Sequence, residues 1–333
     1  MLESCPKYMI YGPCGGVHSD GTCEVAALPC PFAKGGLMPW QDTQSEIGLT
    51  SAGKAFLEIL QTRPVIVTDL PTVPLSADSV RASADILSGF ADAVLLGDHG
   101  GARVQFPPAY RAMMVQQAGL RAWVGLNCRD RNRVALEGEI AALVHANVAG
   151  VHCITGDHTL CGHRPEAQAV FDLDSTRLAS LASTAGLLVS VAESPKVIPT
   201  LERPYRLVQK IKAGARICFV NHSGEAENVA AFIHNVHTFD VDAKFIAGLA
   251  VATSEGSANA LRGFRNLVVP KGYLESILSS PNPRKAGIRS AIAFGETLLS
   301  QPGVQGLNLS SAPEAGQELE LTKDLVEIAK AFL

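Results

Sequence analysis

The hydrophobic positions of this chain gather into short β-branched or apolar runs, each closing on a polar cluster. Four of them set the pattern: Val65-Ile66-Val67-Thr68-Asp69, Ala93-Val94-Leu95-Leu96-Gly97-Asp98-His99, Gly150-Val151-His152-Cys153-Ile154-Thr155-Gly156-Asp157 and Ile217-Cys218-Phe219-Val220-Asn221-His222. Near-continuous apolar runs mark strands buried on both faces, and in a parallel barrel the carboxyl ends of such strands carry the chemistry. The runs begin near residues 65, 93, 122, 150, 187, 215, 245 and 303, and all but the last step are about thirty residues, the length of one strand–helix unit. Eight units predict an α/β fold, a (β/α)8 TIM barrel.

Amphipathic stretches fill the intervals. Ser76 or Asp78 caps a predicted helix through Val80 to Phe90, a second starts at Asn132, Asp174 opens a third, and a basic helix from Arg203 to Ala213 stops at Gly214. Ahead of the first strand, residues 51–60 read as a short helix that Pro64 ends. The long interval from about 250 to 303 predicts two helices around the break Ser280-Pro281-Asn282-Pro283, an elaborated seventh crossover.

Residues 1–36 differ from everything after them. Four of the eight cysteines, Cys5, Cys14, Cys23 and Cys30, lie here among Gly, Pro and turn formers, and no helix or strand period is visible. So few core residues cannot hold a fold by apolar burial alone, whereas four thiolates around one metal supply the missing free energy. Zinc is the first choice and a 4Fe–4S cluster the alternative, because both take four thiolates. The cysteines are separated by eight, eight and six residues, with no C-x-x-C knuckle, and four independently buried cysteines are the plainer reading. The chain thus divides into a cysteine-rich segment (1–36), a linker and helix (37–64) and the barrel (65–333).

Composition narrows the function. With 47% hydrophobic and 18% charged positions over 333 residues, the chain can bury a large core. A net charge of -4 and 6% aromatic residues leave no basic stripe for nucleic acid, so small molecules are the expected partners. The amino terminus lacks a basic start followed by an apolar run, and no stretch is long enough to cross a bilayer, which predicts a cytoplasmic protein with reduced cysteines and no membrane partner.

The strand ends should bring Asp69, Asp98, His99, Asn127, Arg129, Asp130, Asp157, His158, Glu193, Asn221 and His222 to one rim. There is no nucleophile elbow and no phosphate loop among them. Asp69 either caps a turn before Pro71 or, with apolar neighbours raising its pKa, acts as a general acid. Asp130 reads as a helix cap, His145 and His152 as packing residues, and no His spacing supports a His/carboxylate metal site.

Asn127-Cys128-Arg129-Asp130-Arg131-Asn132-Arg133, then Gly150-Val151, Ile154-Thr155-Gly156-Asp157, His163-Arg164-Pro165-Glu166-Ala167 and Val170-Phe171-Asp172-Leu173-Asp174-Ser175 resemble the 5,10-methylenetetrahydrofolate reductases from about Val65 onward. Cys5-Pro6-Lys7, Gly12-Pro13-Cys14-Gly15-Gly16, Cys23-Glu24-Val25 and Cys30-Pro31 are similar to the cysteine-rich domain fused to, or associated with, some of these reductases. The resemblance implies a barrel that holds FAD, reduced by NADH or NADPH, and that passes hydride to a tetrahydrofolate-type substrate. It implies that Asp69 protonates the folate nitrogen, that Asp157 lies between flavin and pterin, that Asn221 touches substrate, and that Thr155, Gly156, Glu166, Lys210, Asp98 and His99 contact the cofactor. Two positions depart from the family pattern: Asp69 stands for a glutamate and Asn221 for a glutamine, each one methylene shorter. Gly125 stands where some members have a flavin-contacting histidine. The competing readings are a flavin-free folate barrel acting as a direct nicotinamide reductase or in methyl transfer, and a subunit that needs an electron-donating redox partner; a homo-oligomer fits any of them.

Overall fold

The computed structural model describes residues 5–42, 48–98, 102, 104–264 and 267–333. Its centre is a closed barrel of eight parallel strands: β1 (Val65–Asp69), β2 (Ala93–Leu96), β3 (Ala122–Asn127), β4 (Gly150–Ile154), β5 (Val189–Glu193), β6 (Ile217–Val220), β7 (Lys244–Ala250) and β8 (Val304–Ser310). Each strand pairs with its neighbour in sequence, and β8 closes on β1 through Leu307 beside Ile66 and Leu309 beside Thr68. The expected TIM barrel is therefore present, with strand starts within a few residues of those read from the hydrophobic runs.

Side chains alternate between two cores, as the strand period of two requires. Ile66, Val94, Val124, Cys218 and Ala247 pack outward against the helices, whereas Val65, Val67, Trp123, Phe219 and Ile246 fill the barrel. The helix Ser51–Thr62 closes the barrel's amino-terminal end, with Phe56 set edge-on against Trp123 at 4.7 Å between ring centres. The helix expected between the cysteine-rich segment and the first strand thus packs on the barrel's inner core. Trp123 Nε1 donates to Ser190 Oγ (2.8 Å), which also meets His152 Nδ1 (2.9 Å), so His152 is the packing residue expected.

The expected helix starts hold at Ser76, Asn132 and Asp174, each of whose side-chain oxygen accepts a backbone N–H of the first turn. Asp130 is not a cap: Arg129, only 1% exposed, claims its carboxylate through two bonds of 2.7 and 2.6 Å. The seventh crossover carries three helices among the described residues, Glu255–Gly263, Tyr273–Leu278 and Pro283–Leu299, not two. Pro283 starts the last of these behind the Asn282 cap, since a proline at the first helical position loses no hydrogen bond.

The cysteine-rich segment forms an antiparallel pair, Thr22–Cys23 with Ala26–Pro29, too short to leave a period in the sequence. Cys5, Met9 and Phe32 are its own small core, with Cys14 and Cys30 packed against it. The segment lies across the carboxyl ends of the barrel strands: Lys7 Nζ donates to the Gly156 carbonyl (2.8 Å) and the Arg203 guanidinium donates to the Cys14 carbonyl (3.0 Å), while just past the segment the Trp40 N–H donates to Gln209 Oε1 (2.6 Å). No helix among the described residues is long and apolar enough to cross a membrane.

Candidate functional site

A cavity of about 390 Å³ opens at the barrel's carboxyl rim, in the size range of small-molecule sites. Asp98, Thr155, Gly156, Asp157, Lys210 and Asn221, all expected at the site, line it. The amino-terminal segment supplies a further wall through Lys7, Met9, Pro13, Cys14, Gly15 and Gly16. Asp69 is one strand position removed: it does not line the cavity, but its β8 neighbour Ser310 does. Glu166 lies exposed in the loop after β4, away from the cavity, and His99 lies outside the described residues.

The turn after β4 is shaped by Gly156, whose φ of +87° is a left-handed conformation that a side chain would strain. A Cβ there would also stand 3.3 Å from both Asn127 and Arg129. Beneath the turn Asn127 Nδ2 and Arg129 Nη1 both reach Asp98, at 3.1 and 3.0 Å, which fixes Asp98 on the rim. Gly125 needs to be glycine for a different reason, because a Cβ would come within 3.0 Å of the Leu96 carbonyl and 3.2 Å of Gly97 Cα. A histidine there would need the Leu96–Gly97 backbone to give by a few tenths of an ångström.

The inner wall is basic. From the helix Arg203–Lys212, Arg203, Arg206 and Lys210 all face the cavity, and with Lys7 they make four basic groups against the carboxylates of Asp98, Asp157 and Glu193. Glu193, 3% exposed at the end of β5, accepts from Arg203 at 3.0 Å and Lys210 at 2.8 Å. Burial alone would raise its pKa, but Lys210, Arg203 and Arg206 outweigh that and hold it at about 2. Lys210 also donates to the Ala192 carbonyl (2.6 Å). Arg206 donates to Thr176 Oγ1 (2.6 Å), yet its buried Nε meets no hydrogen-bond partner among the described residues. The stripe follows from positions i, i+3 and i+7 of one helix face. That spacing was readable in the sequence, although a basic stripe usually faces solvent and its burial was not.

Asp69 is partly buried between β1 and β8. Burial pushes its pKa up to about 6, against the opposing pull of the Ser311 N–H (3.0 Å) and the Asn308 and Ser310 side chains. A carboxyl at that value gives up or takes a proton near neutrality. His222 lines the cavity with its pKa pushed down to about 4 by burial, so it stands there as neutral imidazole. Asn221, at the end of β6, donates to Ser194 Oγ (2.8 Å), which orients its amide on the rim.

The four cysteines of the segment line a second cavity of about 20 Å³ that shares Lys7, Met9, Pro13, Cys14 and Gly16 with the first. All are free thiols. Burial, with the neighbouring thiols adding to it, pushes Cys5 up and Cys30 up to about 11. Among the described residues no three His, Cys, Asp or Glu side chains are grouped so as to hold a metal ion. The four cysteines lie around one small cavity.

Comparison with known proteins adds three findings. Residues 92–324 match the family model described as Methylenetetrahydrofolate reductase, and residues 1–36 match the model described as Methylene-tetrahydrofolate reductase C terminal. No curated protein sequence matches the chain. Among solved structures, the "Uncharacterized protein from Clostridium thermocellum binds two copies of 5-methyl-5,6,7,8-tetrahydrofolic acid" aligns with a TM-score of 0.61 at 11% identity, covering 82% of this chain and 98% of that one. At that identity the likeness is one of fold. The match of the family model over most of the barrel carries the assignment: the chain belongs to the methylenetetrahydrofolate reductase family, a family of oxidoreductases.

Proposed function

We propose that this protein is a cytoplasmic, flavin-dependent reductase that converts 5,10-methylenetetrahydrofolate to 5-methyltetrahydrofolate, with NADH or NADPH as the source of hydride. The reading is supported by the convergence of Thr155, Gly156, Asp157, Lys210 and Asn221, from separate strands and helices, on one cavity in a barrel of this family. The fold relative that binds 5-methyltetrahydrofolic acid points to the same ligand class.

The wall suits a flavin dinucleotide in charge. Among the described residues the buried Arg206 Nε has no partner beside Arg203 and Lys210, and an anionic oxygen would complete its bonding. Bound FAD would accept hydride from the nicotinamide and deliver it to the methylene carbon. Lys210, Thr155 and Gly156 would hold it, with Asp98 at the edge of the cavity. Asp69, protonated below about pH 6, is the proton donor for the folate nitrogen, and Asp157 is the carboxylate that favours the cationic form of the opening ring. Asn221 holds the pterin through its Ser194-oriented amide. Glu166, exposed and outside the cavity lining, would reach such a ligand only at its periphery.

The segment 1–36 and the barrel 65–333 are proposed as two domains joined by 37–64. The four thiols have the donor type that zinc or an iron–sulfur cluster takes, without the arrangement, and no step of the reaction is assigned to a metal. Reconstitution with FAD followed by calorimetric titration with 5-methyltetrahydrofolate tests the reading. One bound flavin and saturable folate binding are expected. A protein that binds the folate while refusing flavin would replace this reading with a flavin-free barrel.

A further inference from the structure

The Lys7–Glu24 ion pair, both members buried, reaches the barrel on either side of Asp157. Lys7 Nζ donates to the Gly156 carbonyl at 2.8 Å, which belongs to the peptide entering Asp157. Glu24 Oε1 accepts the His158 N–H at 2.9 Å, which belongs to the peptide leaving it. Two peptide planes fixed this way leave one residue, Asp157, with its backbone dihedrals held and its exposed side chain at the cavity. The clamp is itself braced. The Lys7 ammonium stands 5.7 Å from the centre of the Phe171 ring, the Cys161 thiol donates to the Glu24 carbonyl (3.4 Å), and Gly16 leaves room for the Glu24 side chain, since a Cβ there would overlap its carboxylate.

We propose that Lys7 and Glu24 are positioning residues for Asp157, so that the amino-terminal segment completes the reductase site by aiming a carboxylate the barrel alone leaves loose. The inference rests on the role given to Asp157 under the proposed function. It also accounts for a segment that buries a charged pair at the mouth of a barrel. Two charges taken out of water at an interface are costly, and they hold a geometry that apolar packing would not specify.

The test combines kinetics with hydrogen exchange on the full chain. Lys7→Met should lower kcat by tenfold to a hundredfold (~1 Å of misplacement reaches the upper figure), with KM for the folate changing less. In an Asp157→Asn background the same change should cost at most about twofold, because the group being aimed is already gone. Glu24→Gln keeps an oxygen for the His158 N–H and should retain more activity than Glu24→Ala. The Asp157 and His158 amides should exchange about tenfold faster in Lys7→Met, while the barrel strands exchange as in the wild type. Equal kcat losses in the wild-type and Asp157→Asn backgrounds, or unchanged exchange at 157 and 158, would overturn the clamp. An inactive wild-type protein would refute the proposed reaction instead, and the exchange result would still decide the clamp. If Lys7→Met does not fold, exchange is measured in Glu24→Ala, which removes the acceptor of the His158 N–H: faster exchange at Asp157 and His158 supports the clamp, and unchanged exchange overturns it.

Discussion

Asp69 accepts a 3.0 Å hydrogen bond from the backbone N–H of Ser311, so the carboxyl at the end of the first barrel strand is tied to the residue just past the last one. The two lie 242 positions apart, and they meet only because the barrel closes. Burial in that seam is what lifts the Asp69 pKa to about 6.

A pH dependence follows for the reaction. If protonated Asp69 is the donor, the folate half-reaction should decline as pH rises through about 6, and Asp69→Asn should abolish the decline together with most of the rate. Flavin reduction by the nicotinamide should stay within a few-fold of wild type in the variant (roughly, as for removal of an interaction made only in the other step). Stopped-flow measurement of each half-reaction across pH separates the two, and equal loss of both removes Asp69 from the donor role.

Stability should carry the same signature. Because the folded-state pKa is raised above the ordinary aspartate value of 3.8, the protonated form favours folding: its contribution is full below the unfolded pKa and is lost as pH rises through about 6. Asp69→Asn should therefore be the more stable protein above pH 6, by on the order of 1–3 kcal/mol, with the difference shrinking toward pH 4. Urea melts at several pH values measure it.

Glu193 behaves in the opposite sense. Its pKa of about 2 lies below the ordinary glutamate value of 4.5, so its stabilisation is present above pH 4.5 and is lost as pH falls toward 2. Glu193→Gln would leave Arg203 and Lys210 buried without their shared counter-charge, and should cost about 3–5 kcal/mol at neutral pH. Saturating anionic ligand should recover part of that loss in a thermal melt; no recovery would argue against an anion site on this wall.

Thiol reactivity tests the cysteine segment. Cys5, Cys128, Cys153 and Cys218 are buried, whereas Cys14, Cys23, Cys30 and Cys161 are partly exposed. In the native protein Cys14, Cys23 and Cys161 should react quickly with a disulfide reagent, and Cys30 more slowly because burial holds its thiol protonated. Protection of Cys14, Cys23 and Cys30 that a chelator releases would instead show that they hold a metal.

Most of the barrel was legible in the chain because its signals are local. Apolar runs located the strands, and Ser76, Asn132 and Asp174 announced helix starts through side chains that bond their own first turn. Asp130 misled for the same reason: its type and place suit a cap, and only the fold shows that the neighbouring Arg129 claims it. The rim residues Asp98, Asp157 and Asn221 could be collected from strand ends, but the wall opposite them could not. Lys7 meets Gly156 across 149 residues, a contact no spacing or period encodes. The cysteines signalled their own convergence and gave no sign that their segment would wall the barrel's mouth.

The proposed reaction moves hydride from a nicotinamide, through a flavin, to a methylene folate. Anaerobic stopped-flow on the FAD-reconstituted protein tests it most directly: NADH or NADPH should bleach the flavin's visible absorbance, and 5,10-methylenetetrahydrofolate should then restore it with formation of 5-methyltetrahydrofolate. A flavin that is reduced and stays reduced on adding the folate, or a protein that takes up no flavin, would contradict the account.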